Sequence, residues 1–168
     1  ILSTIHRDSN TDIHENLESI FKALIVISEE SNQRIVLPLH PRTKGKLETH
    51  LSEELRMKLI QSENILIIPP AGFLDIIALE KNSKMIVTDS GGLQKEAFFF
   101  EKPCIILRPQ TEWIEIVENG NAILVDADYN RILEAFNSLS AKNDFSYPTL
   151  YGDGKSAEFI CEQIIEHI

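Results

Sequence analysis

The sequence predicts an α/β domain in which a six-stranded parallel sheet lies between two layers of helices. Three observations predict it. Six short apolar runs alternate with helix-patterned stretches along the 168 residues, as in consecutive βα units. The runs are continuously apolar rather than alternating, as in strands covered on both faces. Each run ends in a polar or glycine- and proline-containing loop, where parallel sheets bind ligands.

The elements follow in order. Residues 1–5 form the first strand. Ile13, Leu17, Ile20, Phe21, Leu24 and Ile27 recur at helical spacing and predict a helix over 13–27. Residues 34–39 form a second strand, and 44–60 a polar helical stretch broken once. A third strand, 65–68, is ended by Pro69 and Pro70, and a short helix over 73–80 follows. A fourth strand (85–88) leads to a helix over 93–100, a fifth (103–107) to a short helix over 112–118, and a sixth (122–125) to a helix over 129–140. A last helix is predicted over 155–168. Its Ala157, Phe159, Ile160, Ile164 and Ile165 make a broad apolar stripe. That stripe packs on the sheet, on a preceding domain, or on another copy of the chain in a homodimer.

Composition narrows the function classes. A hydrophobic fraction of 43% and a charged fraction of 25% are those of a globular domain with a real core. No apolar run approaches the ~18 residues of a membrane span, so no membrane partner is expected. A net charge of −10 argues against a nucleic-acid surface. Cys104 and Cys161 match no metal spacing, and unpaired thiols suit a reducing cytoplasm. Cys104 lies in an apolar run and is expected to be buried. The five histidines show no metal-ligand spacing, so no metal is expected. The chain opens on a strand without an initiator Met and reads as a piece of a longer protein.

Residues 88–97, Thr-Asp-Ser-Gly-Gly-Leu-Gln-Lys-Glu-Ala, carry the strongest chemical signal. A buried strand runs into a two-glycine turn and then a helix. The first N–H groups of a helix lack partners and the helix dipole favours an anion there. Ser90 adds a hydroxyl, while Gly91 and Gly92 let a phosphate approach the backbone. Glu96, about one helical turn inside, suits sugar hydroxyls. The pattern fits a nucleotide-sugar site with diphosphate on the turn and ribose on Glu96. It also fits an ordinary N-capped turn.

The other loops are read the same way. His6 and Arg7 follow the first strand. Both can donate to a diphosphate, and His6 can supply a proton to a leaving phosphate oxygen; the alternative is a solvated loop capped by Thr11 or Asp12. His40-Pro41-Arg42-Thr43 reads equally as a turn opening a helix. Pro69-Pro70-Ala71-Gly72-Phe73 is a tight turn or a wall for an aromatic base. Thr111 is a candidate N-cap whose hydroxyl can also meet a phosphate. Residues 151–155 form a turn with an N-cap before the last helix.

In this order the loops resemble one family, the non-hydrolysing UDP-N-acetylglucosamine 2-epimerases, in their C-terminal half. Residues 88–97 resemble the signature T-D-S-G-G-x-Q-x-E-A. His6-Arg7 with Asn10 and Asp12, His40-Pro41-Arg42-Thr43, Thr111-Glu112-Trp113 and Tyr151-Gly152-Asp153-Gly154 support it. The resemblance implies a Rossmann-like, UDP-binding half of a glycosyltransferase-B-type two-domain enzyme, spanning residues 1–168 as one domain. It implies that UDP is eliminated across C1–C2 and re-added, without cofactor. His6 matches the catalytic histidine at the leaving diphosphate. Ser90, Gly91 and Gly92 match diphosphate contacts, with Arg7 nearby, Glu96 matches the ribose carboxylate, and Ile76 lies near the backbone contact to uracil; Thr111, from its hydroxyl, is taken as a further UDP contact. The implied ligands are UDP and a UDP-N-acetyl-hexosamine. The acids that move the C2 proton belong to the family's N-terminal domain, so this piece alone is expected to be inactive.

Three departures stand out. Ser9 replaces the Glu of H-R-x-E-N. His40-Pro41-Arg42-Thr43 replaces the H-L-N-P of members activated by a second UDP-N-acetylglucosamine. Glu112-Trp113-Ile114-Glu115 replaces E-R-P-E. An epimerase of a UDP-2,3-diacetamido sugar, a UDP-sugar glycosyltransferase and a non-catalytic nucleotide-sugar sensor remain alternatives.

Overall fold

A computed structural model describes residues 1–167. Six parallel strands form one sheet in the order β3-β2-β1-β4-β5-β6. They are β1 (Leu2–Thr4), β2 (Ile35–Pro38), β3 (Ile65–Ile68), β4 (Ile86–Thr88), β5 (Cys104–Ile106) and β6 (Ala122–Leu124). The helices are α1 (Asp8–Thr11), α2 (His14–Ser31), α3 (Pro41–His50), α4 (Glu53–Gln61), α5 (Phe73–Asn82), α6 (Gly91–Phe99), α7 (Ile114–Glu118), α8 (Tyr129–Ala141) and α9 (Ser156–Glu166). The three-layer Rossmann-like expectation holds.

Period-two alternation splits the apolar residues between two cores. Val87, Ile105 and Leu107 face one core, under α2, α3, α4 and α8; Ile86, Cys104 and Ile106 face the other, under α5, α6 and α7. Phe21, Leu17, Ile20 and Leu24 of α2 are fully enclosed. Cys104 is buried as expected, and burial pushes its thiol up and makes it inert.

Several element ends differ from the sequence reading. Ile13 lies before α2 and is exposed, because Asp8–Thr11 forms its own helical turn on the Arg7 carbonyl. Asn32 ends α2 in the left-handed conformation, with φ 52°. The polar stretch starts at Pro41, earlier than expected. Pro suits a first helical position, and His40 Nδ1 caps the Arg42 N–H at 3.3 Å. The break falls between α3 and α4. α6 starts at Gly91, because Ser90 caps it.

The last helix carries the largest difference. Within its described residues α9 buries nothing, and Phe159, Ile160, Ile164 and Ile165 are all exposed. It does not pack on the sheet. Asp153 accepts from the Lys155 N–H, but no side chain caps α9. Residue 168, included in the expected helix, lies outside the described residues. No described helix is long and apolar enough to cross a membrane.

Candidate functional site

The chain winds outward from β1 to β3, then returns to β4 beside β1. This reversal leaves a crevice at the carboxyl ends of β1 and β4. The two loops bordering it carry His6-Arg7 and Asp89-Ser90-Gly91-Gly92.

Asp89 ties these loops together. It is fully buried. Its carboxylate accepts from the His6 N–H at 3.0 Å, the Arg7 N–H at 2.9 Å and Asn10 Nδ2 at 3.1 Å. His6 Nδ1 lies 2.9 Å from Oδ1. Asn10 Nδ2 also donates to the Leu107 carbonyl, which anchors the end of β5. Burial alone would raise the Asp89 carboxyl; the hydrogen bonds from His6 and Arg7 outweigh it and hold the group below its ordinary value. The hydrogen bond to Asp89 in turn raises His6. With Nδ1 occupied and the ring half exposed, at 49%, Nε2 is the nitrogen left to present a proton.

Arg7 Nε donates to the Asp89 carbonyl at 2.9 Å. That bond orients the guanidinium and leaves its terminal nitrogens available. Arg42, by contrast, is paired with Asp8 and Asp12. It braces α3 against the first loop.

Ser90 Oγ accepts from the Leu93 N–H, and the Ser90 N–H donates to Thr88 Oγ1 at 2.9 Å. The hydroxyl hydrogen of Ser90 remains to be donated. Gly91 and Gly92 occupy the first two helical positions, whose N–H groups have no intrahelical acceptor. A Cβ at Gly91 would come no closer than 3.5 Å to its neighbours, and one at Gly92 no closer than 3.8 Å. The protein's own packing therefore does not require glycine at either place.

Behind this turn lies a brace that sequence reasoning did not foresee. Arg108 pairs with Glu112 through two bonds of 2.7 Å. That pairing lowers Glu112 to about 2. Trp113 Nε1 donates to the Gly91 carbonyl at 2.7 Å, so the residue replacing the family Arg holds the turn directly. Tyr151 stacks edge-on against Trp113, and Lys95 Nζ lies 4.5 Å from the centre of each ring.

Two expectations change in detail. Thr111 is not the cap of α7, which begins at Ile114. Its hydroxyl donates to Gln94 Oε1 at 2.5 Å and accepts from the Trp113 N–H. The hydroxyl hydrogen is thus committed to Gln94. At Ile76 the backbone N–H is taken by the Gly72 carbonyl at 2.9 Å. The first two positions of α5, by the same end-of-helix logic, belong to Phe73 and Leu74, and both side chains are exposed. Glu96 lies on α6, partly exposed, beside α5.

Sequence reasoning named Asp89, Asn10 and Gln94 without giving them roles, and it gave none to Arg108 or Glu80. Among the described residues, no group of three or more His, Cys, Asp or Glu side chains is placed to hold a metal ion.

Residues 1–165 match the family model described as UDP-N-acetylglucosamine 2-epimerase. The chain is 44% identical to a UDP-N-acetylglucosamine 2-epimerase homolog of Methanococcus maripaludis, over 96% of this chain and 43% of that protein. It is 42% identical to the UDP-2,3-diacetamido-2,3-dideoxy-D-glucuronate 2-epimerase of Pseudomonas aeruginosa, over 98% of this chain and 44% of that one. It superposes on a UDP-GlcNAc 2-epimerase of Methanocaldococcus jannaschii, in complex with UDP-GlcNAc and UDP, with a TM-score of 0.85 and 38% identity, covering 98% of this chain and 44% of that chain. An E. coli heptosyltransferase at 17% identity and TM-score 0.55 shares the fold alone. The chain spans less than half the length of these relatives.

Proposed function

The chain belongs to the UDP-N-acetylglucosamine 2-epimerase family, and from that premise we propose that it is the UDP-holding half of an enzyme that inverts C2 of a UDP-N-acetyl-hexosamine. The diphosphate sits on the N–H groups of Gly91 and Gly92 and the hydroxyl of Ser90. Arg7 closes on it from the β1 loop. The ribose hydroxyls donate to Glu96. The uracil lies at the first turn of α5, along Phe73, Leu74 and Ile76. Thr111 supports the site through Gln94. The observation that carries this reading is the bare glycine turn at the start of α6, facing His6 and Arg7 across the β1–β4 crevice.

In the proposed reaction a base removes the C2 proton as the C1–O bond breaks. The products are a 2-acetamidoglucal and UDP. UDP then re-adds to C1 while C2 takes a proton on its other face. The difficult feature is charge developing on the departing diphosphate. Fixed donors aimed at that charge stabilise it without reorganising. His6, raised by Asp89 and presenting Nε2, hydrogen-bonds or protonates the leaving oxygen. Acids that act on C2 are expected from the remainder of the full-length protein, placed in the cytoplasm where nucleotide sugars are made.

Calorimetric titration with UDP tests this. Saturable binding that falls on Ser90→Ala and on Glu96→Ala is expected, with no epimerisation by the 168-residue chain alone. Unchanged affinity in both variants, or turnover by the chain alone, would overturn it. The 42% identity to a UDP-2,3-diacetamido-2,3-dideoxy-D-glucuronate 2-epimerase of P. aeruginosa favours a second substrate, a UDP-2,3-diacetamido sugar. Assaying the full-length enzyme on both sugars decides between them.

A further inference from the structure

Glu80 is a buried acid for which the proposed reaction has no use. It lies in the second half of α5, fully enclosed, and neither carboxyl oxygen meets a hydrogen-bond donor among the described residues. An ionised carboxylate in that setting would be strongly unfavourable. The titratable groups facing it are the Glu96 carboxyl, from α6, and the Cys104 thiol, from β5. The thiol is itself neutral and a weak partner. Among the described residues, Glu96 is the charged group that acts on it.

We infer that Glu80 is a positioning residue, which as a neutral acid donates its proton to one oxygen of Glu96 and aims the other lone pairs of that carboxylate at the ribose. The inference rests on the assignment of ribose to Glu96 made above. Burial, reinforced by the Glu96 charge, pushes the Glu80 carboxyl up to about 7, so the acid stays largely protonated below neutrality. Two carboxyl groups sharing one proton form a short, directional bond, whereas two carboxylates would repel. The donor comes from the last turn of α5 and the acceptor from α6. A ribose bound at Glu96 is thereby held in register with a base on the first turn of the same α5. Free rotation of the Glu96 side chain would lose that register.

The test is titration, in slightly acidic buffer, of UDP and of 2′,3′-dideoxy-UDP, which lacks the hydroxyls that Glu96 would accept. Glu80→Gln keeps a donor and should leave UDP affinity within about twofold of the parent. Glu80→Leu removes it and should weaken UDP roughly tenfold, the effect of losing one charge-assisted bond. Dideoxy-UDP should bind the parent and both variants alike. Glu96→Ala is the control for the underlying assignment. If it leaves UDP affinity unchanged, the ribose assignment fails. If it weakens UDP while Glu80→Leu does not, or if Glu80→Leu weakens both nucleotides equally, the positioning role fails. Should Glu80→Leu not fold, infrared difference spectroscopy of the parent against Glu80→Gln decides. A carboxylic-acid C=O band lost in the variant and shifted by UDP supports the role, and its absence refutes it.

Discussion

Replacing Asp89 with Asn probes the junction on which the site depends. The change keeps the shape and removes the charge. An Asn can turn its carbonyl toward the donors of His6, Arg7 and Asn10 and its amide toward His6 Nδ1. His6 is then forced into the tautomer that accepts at Nδ1. The geometry survives, so the loss is the difference between charge-assisted and neutral hydrogen bonds. At about 1 kcal/mol for each of three such bonds, the cost is about 3 kcal/mol. Urea unfolding should show the midpoint lowered by about 1.5 M at a typical slope, with the slope unchanged.

The gap between parent and variant also has a predictable pH dependence. Asp89 is held below its ordinary value of 3.8, so its contribution is present above that value and is lost as pH falls through its folded value. His6 is raised above 6.5, so its share is complete below 6.5 and is lost as pH rises through its folded value. The gap is therefore widest between pH 3.8 and 6.5. The His6 share is the smaller one, because half of the ring is exposed to solvent. In NMR titrations, His6 of the variant should return to or below about 6.5. A loss under about 1 kcal/mol, or a gap that is flat with pH, would refute the view of Asp89 as the charged hub.

Three further outcomes follow from the same geometry. Gly91→Ala and Gly92→Ala should leave folding intact or stabilise it by about 0.5–1 kcal/mol, yet weaken UDP binding at least tenfold; parallel loss of stability and affinity would show that the glycines serve the fold instead. Glu80 is raised from 4.5 to about 7, so the unfolded chain ionises first and stability contributed at this site falls as pH rises between those values. That fall amounts to about 3 kcal/mol and should vanish in Glu80→Gln when melting is followed across the range. Trp113→Phe keeps the stacking on Tyr151 but removes the donor to the Gly91 carbonyl; a loss of about 1 kcal/mol in denaturant is expected, with weaker UDP binding, and an unaltered titration would mean that the indole is not a brace for the turn.

The element types and the candidate phosphate turn were legible in the sequence because both are local. Helical and strand periodicity, Ser90 as a cap and two bare glycines act over a few residues, and a linear reading detects them. Ile13 and Thr111 show where that reading stops. Ile13 fits the helical period of α2, yet it lies outside, because the Arg7 carbonyl draws residues 8–11 into a separate turn. Thr111 has cap chemistry, but its partner is Gln94 on another helix.

Tertiary structure alone decided which polar groups would be buried, and against what. Asp89 is an unremarkable letter in a glycine turn until the sheet order brings β1 against β4 and places the backbone of His6 and Arg7 on its carboxylate. Glu80 shares a face with Ile76 and Leu79 in the sequence, and that pattern marks it as inward-facing; only the fold brings the Glu96 carboxyl of α6 near enough to act on it. The physical reason is common to both. Periodicity reports which side of an element faces the core, whereas the protonation and partner of a buried charge depend on groups brought near by long-range pairing of strands and helices.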